Sequence, residues 1–158
     1  MAFQSLILLI LLTSLPASFA LTDEKLSAYQ VLQQYDFPIG ILPEGVTGYE
    51  LDQETGEFKA YLDGTCTFPI ESYDLRYKST ISGVISKDKI TKLKGVSVKV
   101  LFFWVNIAEV TRDGDELSFS VGIASASFPL ENFYECPKCG CGLDCLNSNY
   151  LDGFVASV

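Results

Sequence analysis

Four of the five cysteines fall within ten positions, as Cys136-Pro-Lys-Cys139-Gly-Cys141-Gly-Leu-Asp-Cys145. Four thiolates can hold zinc tetrahedrally. The spacing C-x2-C-x-C-x3-C lacks the loop that usually separates two ligand pairs. The first twenty residues also read as a secretory leader, and an oxidising compartment favours disulfides over free thiolates. Disulfides are therefore expected, with no metal and no cofactor. The total is odd, so one thiol stays free or pairs between chains. Cys66 is the only distant partner, and its expected bond is to Cys136, tying an early strand to the end of the domain. Cys139 and Cys141 stand too close to bond each other without strain, so Cys145 is expected to bond one of them. Cys136-x-x-Cys139 has redox spacing, but no βαβ pattern surrounds it.

The chain contains no histidine. That excludes a Ser-His-Asp triad, a Cys-His pair and every His-containing metal site. Any catalysis would use carboxylates, Lys, Tyr or a thiol, and no two carboxylates show a spacing that assigns glycosidase acid and base roles. A net charge of −9 argues against a nucleic-acid partner, whose phosphates would be repelled. It argues equally against broad binding to anionic membranes or lipopolysaccharide.

The remaining candidates are ligand contacts. Asp74, Arg76 and Lys78 alternate with Tyr73, Leu75 and Tyr77, so charges take one strand face and apolar groups the other. Glu109 sits in an otherwise apolar run and is expected at a solvent-facing edge of the sheet. Leu101-Phe-Phe-Trp-Val105 is apolar at every position. Read as strand, it has two greasy faces that need covering by a sheet, a helix or a ligand. Phe102, Phe103 and Trp104, with Arg76 and Tyr77 nearby, are the expected contacts of a hydrophobic ligand.

These groups ride on β-type patterning. Lys94 to Ala126 holds two strand runs around Arg112-Asp-Gly-Asp115, where Asp-Gly supplies a hairpin turn. Leu117, Phe119, Val121 and Ile123 recur with period two and are expected on one face. Gly48–Asp52 and Glu57–Leu62 form a second hairpin, with Gly56 at the turn, and residues 73–86 a long strand bulged at Gly83. Before them, Thr22 is the expected cap of a helix carrying Leu26, Tyr29 and Leu32, ended near Tyr35 or Asp36 by Pro38. The fold class is mainly β, an antiparallel sandwich or pseudo-barrel with an N-terminal helix packed on it.

The run Leu6–Leu12 followed by Ser18-Phe-Ala20 marks residues 1–20 as a signal peptide, too short for a membrane span. Residues 21–135 then form one β domain and 136–158 a Cys-rich tail. The mature chain is expected in the secretory pathway or outside the cell, with no later transmembrane segment.

Tyr35-Asp-Phe-Pro-Ile-Gly-Ile-Leu-Pro43, Tyr49-Glu-Leu-Asp52, Tyr73-Asp-Leu-Arg-Tyr77 with Gly83, Lys94-Gly-Val-Ser-Val-Lys99, Phe103-Trp104 and Phe128-Pro129…Phe133…Cys136 occur in the order seen in the plant DUF538 family. The stretch from about Ala28 to Cys136 resembles that family. The resemblance implies a small β-rich pseudo-barrel, compared in shape with half of the bactericidal/permeability-increasing lipid-binding fold. It also implies lipid or lipopolysaccharide binding, or chlorophyll binding or hydrolysis, with no motif that maps onto named residues here. The first functional reading is a secreted, non-enzymatic module for a hydrophobic or amphipathic small molecule. The alternatives are a hydrolase of pigment or lipid esters and a cell-wall or cell-surface interaction protein.

Overall fold

The computed structural model describes residues 24–145. The expected leader, the Thr22 cap and the end of the tail lie outside them. Nine strands are described: β1 (Val46–Leu51), β2 (Glu57–Leu62), β3 (Cys66–Ile70), β4 (Tyr73–Ser86), β5 (Lys89–Val100), β6 (Phe103–Asn106), β7 (Glu109–Asp113), β8 (Glu116–Ser120) and β9 (Ser125–Pro129). All pair antiparallel in one sheet of order β1-β2-β4-β5-β7-β8-β9, which does not close on itself. The chain is thus mainly β, as its patterning requires.

Two long strands set the shape. β4 pairs with β3 through residues 73–77 and with β2 through residues 80–84. β5 changes partner in the same way, from β7 at Lys89 and Ile90 to β6 at residues 97–100. The sheet therefore has two tiers. They meet at a corner where the β4–β5 register shifts between Tyr77 and Ser82 and again before Val84. Gly95 permits this corner: its φ is +91°, and a Cβ there would lie 2.4 Å from the Thr80 carbonyl oxygen.

The helix α1 (Ala28–Gln34) begins at Ser27 through a capping box with Gln30. Tyr35 caps its end, and the chain leaves through Asp36, whose φ is +63°. Arg112 Nη1 donates to the Asp36 carbonyl at 2.6 Å, fixing the helix end to β7. Val31 and Leu32 face the sheet. Two 3₁₀ turns, Ile39–Ile41 and Leu130–Phe133, meet at Gly40, where a Cβ would lie 2.3 Å from the Phe133 carbonyl oxygen. The core runs continuously from Leu32 and Phe37 through Ile81, Ile85 and Val110 to Leu130 and Phe133. Among the described residues the buried side chains are apolar apart from the Tyr77 phenol.

Three expectations need correction. Residues 94–105 are not one strand. Leu101 and Phe102 form the turn between β5 and β6, with Leu101 at φ +55°, so the doubly apolar run is a hairpin tip open to water rather than a covered strand. Ile123 lies beyond β8 and is 99% exposed, not on the Leu117–Val121 face. Cys66 bonds Cys139, and Cys136 is the free thiol. The physical reason is register: the Gly140 amide donates to the Thr67 carbonyl at 2.8 Å, laying the tail along the β3 edge with Cys139 beside Cys66. Cys141 bonds Cys145.

Two stability measurements follow. Leu117 is 0% exposed, so Leu117→Ala is expected to cost about 3–4 kcal/mol in urea unfolding. Alkylation and intact-mass analysis of oxidised protein should add one label, at Cys136; labelling at Cys139 would contradict the Cys66–Cys139 bond.

Candidate functional site, an apolar cavity in the curled sheet

The concave face carries more space than its side chains fill. The lower tier, under α1, keeps a narrow void of about 70 Å³ among Val31, Leu51, Phe58, Ile85, Ile90 and Val110. The upper tier encloses about 250 Å³, just below the roughly 300 Å³ at which small-molecule pockets begin. Ile41, Tyr77, Ile107 and Phe119 line both spaces and so form the wall between them.

Each lining group is placed by strand alternation. Tyr73, Leu75 and Tyr77 point inward from β4, Val98 and Val100 from β5, and Phe119 and Val121 from the β8 side. The far edge of the sheet curls back until Phe128 on β9 meets Tyr73 edge-to-face at 5.8 Å between ring centroids. Phe119 continues this aromatic seam to Phe128 at 6.0 Å and to Phe133 at 5.4 Å. Such contacts add about 0.5–1.5 kcal/mol each beyond area burial. They close by side chains a sheet that backbone pairing leaves open. Pro137 and Gly40 complete the floor.

The polar groups are few and peripheral. Asn132 Nδ2 donates to Glu71 Oε1 at 2.6 Å, joining the β3–β4 turn to the second 3₁₀ turn at the cavity margin. Ser125 lies on the same lining. Tyr77 sits deepest, and its hydroxyl donates to the Ile41 carbonyl at 2.7 Å. Burial pushes the Tyr77 phenol well above the usual tyrosine range. Tyr73, Glu71, Val100, Ala124, Ser125 and Ala126 line the space and are also exposed, which marks its mouth.

Of the sequence-derived ligand contacts, Tyr77 alone lines the cavity. Phe102 and Phe103 are 89% and 71% exposed at the hairpin tip. Trp104 faces outward and stacks under Arg76, whose guanidinium carbon is 3.8 Å from the ring centroid. The β8–β9 and 3₁₀ residues of the lining carry no local sequence signal for a cavity. Only the alternation of β4 and β8 hinted at their side.

Catalytic candidates do not converge here. Among the described residues, the serine or threonine hydroxyl that donates to a carboxylate is Thr111, to Glu109 Oε1 at 3.3 Å. Glu109 also pairs with Lys89 at 3.2 Å, on a half-exposed part of the sheet outside both spaces. The Cys136 thiol lies 3.5 Å from the Ile39 carbonyl oxygen, and burial with the Glu44 carboxylate pushes its pKa up, away from thiolate reactivity. No group of three or more His, Cys, Asp or Glu among the described residues could hold a metal.

Fold and site thus define a small antiparallel β domain curled around an apolar interior. The family model described as "Protein of unknown function, DUF538" matches residues 28–134, and the chain belongs to that family. It is also similar to Uncharacterized protein At5g01610 of Arabidopsis thaliana, with 29% identity over 116 residues. That alignment covers 73% of this chain and 66% of the relative. The matched region ends before Cys136, so the Cys-rich tail stands outside it.

The Tyr77 geometry has a pH consequence. A phenol raised by burial contributes stability that is intact below the unfolded tyrosine value of about 10 and is lost as pH rises above it. Unfolding free energy should fall above pH ~10, by up to about 1.4 kcal/mol per pH unit from this group. Tyr77→Phe should flatten that fall while losing about 1 kcal/mol at neutral pH with the hydrogen bond to Ile41. Equal slopes in the two proteins would contradict the burial of this hydroxyl.

Proposed function

We propose that the domain is a non-enzymatic binding module for a single-chain amphiphile. The chain enters the upper cavity and the head group stays at the mouth. The observation that carries this reading is a space of about 250 Å³ walled by apolar side chains, with its polar groups at the margin apart from the Tyr77 hydroxyl, which is bonded to the Ile41 carbonyl. Filling it would remove apolar surface from water at about 25 cal/mol per Å². A space of this volume with an open mouth admits a hydrocarbon chain.

The margin also bears on the head group. Glu71, Asn132 and Ser125 offer acceptors and a hydroxyl, and among the described residues no Lys or Arg lines the cavity. A neutral, hydroxyl-bearing head is favoured over a carboxylate, which would meet Glu71 within a chain of net charge −9. Two disulfides support passage through an oxidising compartment, and the signal-like residues 1–20 support secretion. No helix of the described residues is long and apolar enough to cross a membrane. A hydrolase reading lacks a paired nucleophile and base: among the described residues Glu71 accepts from Asn132, and the one serine or threonine hydroxyl bonded to a carboxylate is Thr111, outside the cavity.

Displacement of a neutral fluorescent probe, N-phenyl-1-naphthylamine, by long-chain alcohols and monoacylglycerols tests this. Saturable displacement is expected, with fatty-acid anions at least tenfold weaker. Val98→Phe, which fills the space, should weaken probe binding at least tenfold while leaving the circular dichroism unchanged. Absence of saturable binding by wild-type protein would overturn the proposal.

A further inference from the structure

Large apolar residues are exposed mainly at one end of the molecule. Val100, Leu101, Phe102 and Phe103 on the β5–β6 turn are 44%, 83%, 89% and 71% exposed. Ile123, on the turn between β8 and β9, is 99% exposed. Solvent exposure of so many large apolar groups on two short turns is unfavourable unless something covers them.

Three observations say what covers them. First, the groups project from narrow turns rather than from a flat face, a shape suited to insertion between lipid head groups. Second, charge is sorted by position. The chain carries 20 acidic residues, yet neither 95–108 nor 117–130, the two segments holding these turns, contains an Asp or Glu. The two turns themselves therefore carry no carboxylate, and Glu71 at the neighbouring mouth is held by its hydrogen bond from Asn132. Third, a belt lies just behind the tip: Lys99 is directly opposite Trp104, and Arg76 stacks on the Trp104 ring. Tryptophan and snorkelling cations are the groups that settle at a membrane–water interface.

The turns also adjoin the cavity mouth. Val100 and Ala124, at the bases of the two turns, are both cavity-lining and exposed. We propose that these two turns dock the protein on a zwitterionic phospholipid bilayer, placing the mouth at the head-group level so that an amphiphile can pass between membrane and cavity. The passage rests on the binding function above; the docking does not. The net charge of −9 selects a zwitterionic surface over an anionic one.

Trp104 is the one tryptophan in the chain and reports on the tip directly. Phosphatidylcholine vesicles should co-sediment with the oxidised mature protein, shift its emission to the blue and allow quenching by brominated lipid chains. Raising salt from 0.1 to 0.5 M should change binding less than twofold, because apolar insertion drives it. The double variant F102D/F103D should lose at least tenfold in vesicle binding while keeping probe binding to the cavity. Lys94→Glu makes the same charge change at an exposed site away from the tip, and it should bind vesicles like wild type. No vesicle binding by wild type, or equal binding by F102D/F103D, overturns the docking. Concentration-dependent self-association that F102D/F103D abolishes, without vesicle uptake, would overturn it in favour of a second copy. Vesicle binding without cavity binding of the probe would support the docking and sink the binding function instead.

Discussion

The β4–β5 pair carries the rest of the structure because each strand is longer than any one partner. β4 has 14 residues and β5 has 12, and each serves two neighbours in succession along one edge. A twisted pair that changes partners midway must bend, and the bend falls where Gly95 passes the Thr80 carbonyl. Bending curls both tiers toward one side. The inner face then encloses a volume that the available side chains do not fill, and a cavity results.

That geometry separates two jobs along the same strands. In the lower tier, α1 and the first hairpin cover the concave face and leave little space. In the upper tier no helix of comparable length among the described residues covers the interior. Closure is left to the Tyr73–Phe128 contact and the Glu71–Asn132 hydrogen bond at the margin. Tyr77 belongs to both tiers, one face against the cavity and its hydroxyl satisfied by Ile41, so the dividing wall carries no unpaired polar atom. The Cys66–Cys139 bond holds the tail beside β3, with Pro137 in the floor. The tail thus buttresses the cavity from outside the family-matched region.

Much of this was legible in the residues. Alternation placed Tyr73, Leu75 and Tyr77 inward, Asp113-Gly114 turned the β7–β8 hairpin, and the helix stopped where Pro38 required. The errors share one cause, the non-local determination of turns and register. An apolar turn such as Leu101-Phe102 carries none of the Gly, Asn or Asp that announce a hairpin, so a tip read as a buried strand. Cys136 and Cys139 are three residues apart, and only the pairing of Gly140 with Thr67 decides which meets Cys66. Leu26, expected within the helix, precedes the Ser27–Gln30 capping box and lies outside it. The cavity was the least legible feature, since its walls come from β3, β4, β5, β8, β9 and two 3₁₀ turns. The exposed aromatics that seemed to announce a ligand site instead sit beside its mouth.

The central claim is that the upper tier, and not the exposed tip, receives the apolar chain. Methyl-resolved NMR with a bound long-chain alcohol tests this most directly, through intermolecular NOEs. NOEs are expected from the alcohol chain to Leu75, Val98, Ile107 and Val121, and none to Val31 or Ile90 beneath the helix. NOEs confined to Leu101 and its neighbours at the hairpin tip, with the interior methyls silent, would contradict it.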